Sequence, residues 1–93
     1  MNDTVGAPSA VASREGSSVQ TPVLISATTV QAGVPAEYAW LKSRFGVQEQ
    51  DWKIDMRSLS RTPQGRTLET FRLLLRGGRP VDVHFDITSF HQL

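Results

Sequence analysis

DWKIDMRSLSRTPQGRTLETFRLLLRGGRPVDVHFDITSF, residues 51 to 90, is the stretch whose pattern decides the fold. Trp52, Ile54 and Met56 alternate with Lys53, Asp55 and Arg57; Phe71, Leu73 and Leu75 alternate next; Val81, Val83, Phe85 and Ile87 follow. Successive side chains of a strand point to opposite faces, so each run reads as a strand with one buried face. Turn residues separate the runs, which makes an antiparallel three-stranded meander.

Turn chemistry then sets the registers, because residues facing each other across a ladder share a side of the sheet. Thr62-Pro63-Gln64-Gly65 suits a type I turn as a four-residue loop with Arg61 opposite Arg66. That register pairs Met56 with Phe71, Ile54 with Leu73 and Trp52 with Leu75 on the core face, and Leu59 with Leu68 on the other. At the second turn a two-residue Gly77-Gly78 loop would set core Leu73 across from Asp82. A three-residue loop Arg76-Gly77-Gly78, with Gly78 left-handed in a bulge, instead sets Leu73 against Val81 and Phe71 against Val83. Pro80 then opens the last strand, where a missing donor does least harm, particularly at a sheet edge. The outer face carries three rows: Asp55, Arg72, Asp82; Arg57, Thr70, His84; and Leu59, Leu68, Asp86.

Upstream the period changes. Val34, Tyr38, Leu41 and Phe45 recur at helical spacing, Pro35 fits a first turn, Glu37 complements the positive end of the helix dipole, and Gly46 ends the helix. Lys42 and Arg44 fall in the last turn, where cations are favoured. Trp40 lies about 120° off the apolar stripe, so it needs cover from residues 23 to 30, a stacked Arg44, or a partner protein. Val23-Leu24-Ile25 and Thr28-Thr29-Val30 suit a short strand. The fold class is therefore α+β: one amphipathic helix packed on an antiparallel three-stranded meander, with a fourth N-terminal strand offered by residues 23 to 30.

Residues 1 to 21 are rich in Ala, Ser, Gly and Val without periodicity and read as a disordered tail; residues 22 to 93 read as a single small α+β domain. About 70 ordered residues is close to the size at which one core is only marginally stabilising. Asp3 and the interrupting Ser and Gly residues do not fit a secretory leader, which makes the cytoplasm the expected compartment and leaves the acceptor pattern at Asn2 without meaning. No apolar run approaches the roughly 18 residues a membrane span needs.

The chain of 93 residues has no cysteine and a net charge of +1, which excludes a disulfide scaffold, a zinc ribbon, a thiol nucleophile and a polybasic tail protein. No cofactor motif and no recognised metal-ligand spacing is present among His84, Asp86 and His91. Three functions remain. The first is a non-enzymatic protein-interaction module that self-associates or takes a protein partner, with Trp40, Leu59, Leu68 and Leu74 as interface candidates. The second is an anion or nucleic-acid binder using Arg57, Arg61, Arg66, Arg72, Arg76 and Arg79, which face the single Glu69 over that stretch. These arginines divide between the two ends of the sheet, and no exposed aromatic row accompanies them for base stacking. The third is a small enzyme built on His84 and Asp86, two apart on one strand face, although an open sheet face excludes no water.

Overall fold

A computed structural model of the chain describes residues 16 to 91. Most of the tail expected to be unstructured, Asn2 included, lies outside the described residues. Five elements follow in order: β1 (Val23–Leu24), α1 (Val30–Phe45), β2 (Trp52–Arg61), β3 (Thr67–Leu75) and β4 (Pro80–Asp86). The helix packs on one face of a mixed four-stranded sheet of order β1-β4-β3-β2. The fourth strand is present but short. β1 runs parallel to β4, with Val23 opposite Phe85, and residues beyond Leu24 turn toward the helix. β4 is therefore flanked on both sides, and β2 is the outer strand of the meander.

The helix starts a turn earlier than the Val34-Pro35 reading places it. Thr29 is extended (φ −132°, ψ 155°) and its hydroxyl accepts from the Ala32 amide at 3.2 Å, an N-cap of the kind that stabilises a helix by about 1 kcal/mol. Pro35 consequently sits inside the helix, where its lack of an N–H forfeits the bond to the Gln31 carbonyl. At the other end Gly46 (φ 102°) donates to the Lys42 carbonyl at 3.0 Å. The Trp52 indole donates to the Gly46 carbonyl at 2.8 Å, which ties the helix end to the first residue of β2.

The line that faces the sheet is Gly33, Glu37 and Leu41; Leu41 is the only member of the expected stripe that is fully buried. Gly33 is required there, since a Cβ would run into the ring of Phe90, which folds back over the helix. Below the helix, Phe71 and Phe85 meet edge to face at 5.4 Å between centroids, and Tyr38 meets Phe71 at 5.9 Å. With Val23, Ile25, Leu41, Trp52, Leu73, Val83 and Ile87 these rings form the core.

The second hairpin has the expected register: Leu73 opposite Val81, Phe71 opposite Val83, and a three-residue loop closed by Leu75 N–H to Arg79 O at 2.8 Å with Gly78 at φ 88°. The first hairpin is corrected. Its loop is also three residues, Pro63-Gln64-Gly65, closed by Thr62 N–H to Arg66 O at 2.8 Å with Gly65 at φ 82°. A register shift between Ile54 and Met56 absorbs the difference. Trp52 and Ile54 still face Leu75 and Leu73, but beyond the shift Arg57 faces Phe71 and Leu59 faces Glu69, not Leu68. Parity past a bulge inverts, so Met56 goes to the outer face and is 51% exposed while Arg57 turns toward the helix. The outer rows become Met56, Arg72, Asp82; Ser58, Thr70, His84; and Ser60, Leu68, Asp86.

Candidate functional site

The inversion produces the most unusual part of the molecule. Arg57, on the outer strand, reaches inward and donates through Nε (3.0 Å) and Nη2 (2.6 Å) to one oxygen of Glu69. Its guanidinium lies 4.8 Å from the centroid of the Phe71 ring, a cation-π contact. Glu37 comes down from α1 beside the same pair and is wholly buried, and neither of its carboxyl oxygens has a hydrogen-bond partner among the described residues. Burial pushes Glu37 up to about 9, the neighbouring Glu69 carboxyl adds to the rise, and Arg57 only partly opposes it. At neutral pH Glu37 is therefore a neutral acid beside the Arg57–Glu69 ion pair. Burial works to lower the Arg57 value, but its bond to Glu69 outweighs that and leaves it raised.

A cavity of about 150 Å³ opens beside this cluster, lined by Val30, Val34, Arg57, Leu59, Glu69, Ile87, Phe90 and His91. Its mouth is bounded by Leu59, which is 45% exposed on the helix side of β2. The backbone of this strand is equally open. β2 pairs with β3 alone among the described residues, apart from a bridge at Trp52, whose carbonyl accepts from Glu49 N–H at 2.6 Å. At the far side of the sheet, β1 and the carbonyl of Gly16, which accepts from His84 N–H at 2.8 Å, occupy the edge of β4.

The interface candidates fall in different places. Trp40 is half-buried: its ring stands edge-on to Phe85 at 5.6 Å and to Phe45 at 6.3 Å, and the Arg44 guanidinium lies 5.6 Å from its centroid. Leu68 is buried on the outer face within a groove lined by Val19, Pro22, Pro63 and Arg66, and Leu74 is half-buried opposite Pro80. Leu59 alone of the four is openly exposed, together with Met56 three positions before it.

Arg57 is engaged with Glu69, Arg66 with Asp86 (2.8 Å), Arg72 with Asp82 (2.9 Å) and Arg76 with Asp51 (3.2 Å). The hydrogen bond from Arg72, with its charge, holds Asp82 below the ordinary carboxylate range despite some burial. His84 and Asp86 take separate partners. The His84 Nδ1 lies 2.8 Å from the Thr70 hydroxyl, while Asp86 accepts from Arg66 Nε, from the Thr88 amide at 3.0 Å and from the Thr88 hydroxyl at 2.6 Å. Burial alone would raise Asp86, but these bonds together bring it below its ordinary value.

Glu37 and Glu69 are the residues that sequence reasoning passed over. Glu69 shares the parity of Phe71 and Leu73, and Glu37 falls on the helical wheel between Val34 and Leu41, so two acids at core-facing positions were there to be found. Comparison with family models, with curated proteins and with solved structures gives no match, so geometry alone carries the functional reading.

Proposed function

We propose that this chain is a non-enzymatic protein-interaction module that self-associates by adding a strand along the outer edge of β2. The observation that carries the reading is a ten-residue strand with an unpaired edge among the described residues, exposed along nearly its whole length after Ile54, at one side of a sheet whose other side is occupied. Met56 and Leu59 add apolar surface on either face of that strand. A small core gains from such cover. The arginine-based reading is weaker because Arg57, Arg66, Arg72 and Arg76 already have carboxylate partners, and the enzymatic reading because His84 and Asp86 are each held by other groups.

Sedimentation at about 10 to 500 μM tests this, since a modest interface dissociates in the micromolar range. The matching variant is Leu59→Pro. Residue 59 directs its backbone away from β3, so proline there removes a donor from the outer edge and leaves the β2–β3 ladder intact. The wild-type chain is expected to form dimers over that range and Leu59→Pro to remain monomeric with an unchanged far-UV spectrum. A monomeric wild-type chain throughout would sink the proposal.

A further inference from the structure

We infer that the strand added to β2 is β2 of a second copy, antiparallel, with Ser58 on the two-fold axis; this rests on the strand-addition reading above. The free backbone groups restrict the choice. Thr62 N–H donates to Arg66 O at 2.8 Å, and bonded residues alternate along an antiparallel ladder, so Ser60, Ser58 and Met56 also turn toward β3. Arg57 and Leu59 turn outward. Before the register shift the order is opposite: Asp51 O accepts from Arg76 N–H at 2.9 Å, so Lys53 is inward as well. A second strand can bond only where outward residues of the two copies meet.

Charge then separates the registers that satisfy this rule. An axis through Arg57 sets two guanidinium-bearing residues directly opposite. An axis through Leu59 sets Arg57 opposite Arg61 of the second copy. Like charges directly opposite are destabilising across a ladder. An axis through Met56 brings Leu59 against Lys53, whose backbone is already used by β3, and an axis through Ser60 runs into Pro63 within three residues. With Ser58 on the axis, Arg57 of each copy faces Leu59 of the other. No like-charged pair forms. Leu59 then lies along the aliphatic stem of an arginine whose charge is already held by Glu69, at the mouth of the cavity between helix and sheet.

Single cysteines test the register, because the chain has no cysteine of its own and any cross-link reports the introduced one. Ser58 is exposed on the outer face, and on the axis it meets its copy in a non-hydrogen-bonded pair with Cα atoms about 4.5 Å apart, within disulfide reach. Ser60 would be about 13 Å from its own copy and beyond reach, but opposite Met56. Treated with diamide at concentrations where the chain sediments as a dimer, Ser58→Cys is expected to cross-link nearly completely and Ser60→Cys alone hardly at all. A mixture of Ser60→Cys and Met56→Cys chains is expected to yield the mixed dimer. A dimer in which Ser58→Cys does not cross-link, or in which Ser60→Cys alone links as well, overturns this register and leaves strand addition standing. A wild-type chain that sediments as a monomer overturns both.

Discussion

Glu37→Gln is the substitution whose effect follows most directly from the structure. The wild-type carboxyl is fully buried without a hydrogen-bond partner, and its value stands at about 9 against an ordinary 4.5. The folded chain therefore binds a proton that the unfolded chain has lost, over the window between those two values. By linkage, the contribution of Glu37 is fully present below pH 4.5, where both states are protonated, and declines as pH rises through the window at about 1.4 kcal/mol per unit until Glu37 itself ionises near 9. At pH 7 the accumulated loss is about 3 kcal/mol. Glutamine is nearly isosteric and carries no ionisation. The variant is therefore expected to be more stable than wild type by about 2 to 3 kcal/mol at pH 7 and to converge with it near pH 4.5. Urea unfolding at half-unit steps from pH 4.5 to pH 8.5 reads this, and other titrating groups cancel because both chains share them. Parallel stability curves for the two chains, or a destabilised variant at pH 7, would refute the reasoning.

Other expectations are simpler. Gly33→Ala should lose about 1 to 3 kcal/mol in thermal or urea unfolding despite alanine's better helix propensity, because the new methyl displaces the Phe90 ring; combining it with Phe90→Leu should recover most of the loss. Asp86, held below its ordinary 3.8 mainly by Arg66 and Thr88 against the effect of burial, contributes stability that is present above 3.8 and lost as pH falls through its folded value. Asp86→Asn should cost about 1 to 3 kcal/mol at pH 7 and flatten the acid side of the stability curve, measured by unfolding between pH 2 and pH 6.

The meander and the second register were legible in the sequence because both follow from period and parity. Leu73 and Asp82 cannot share a face, and that single conflict selected the three-residue loop. The first hairpin misled for the same reason: a four-residue loop with no bulge and a three-residue loop with one bulge both place Trp52 and Ile54 on the core face. They differ only beyond Asp55, where Met56 and Arg57 exchange sides. Met56 is the more apolar of the two, so hydrophobicity favoured the wrong choice; the structure places Arg57 inward with Glu69 as ion partner and Phe71 as ring partner. The helix start was missed because Pro35 is a strong signal for a first turn, and Thr29 as N-cap outweighs it through one bond to Ala32. Glu37 reads as a residue near the positive end of the helix, but that end lies two turns before it.

The open edge and the buried acids meet at Arg57, and that juncture bears on how strong an association can be. Sheet edges are commonly kept apart by charged side chains and by bulges. β2 has both, but the charge at residue 57 is turned inward and paired with Glu69, which weakens its repulsion of an approaching strand without abolishing it. The register shift near Asp55 keeps the usable edge short. Pairing about Ser58 forms about four backbone hydrogen bonds, two for each meeting of Arg57 with Leu59, and such bonds contribute roughly 0.5 to 1.5 kcal/mol each. That sum is comparable to the lower estimates for the cost of bringing two chains together, about 4 kcal/mol. Net affinity must therefore come from what Leu59 and Met56 cover, and the expected dissociation constant is micromolar. An edge of this kind joins copies reversibly as concentration changes, and its strength depends on Arg57 keeping its bond to Glu69, because an Arg57 released from that carboxylate would restore the charge that holds edges apart.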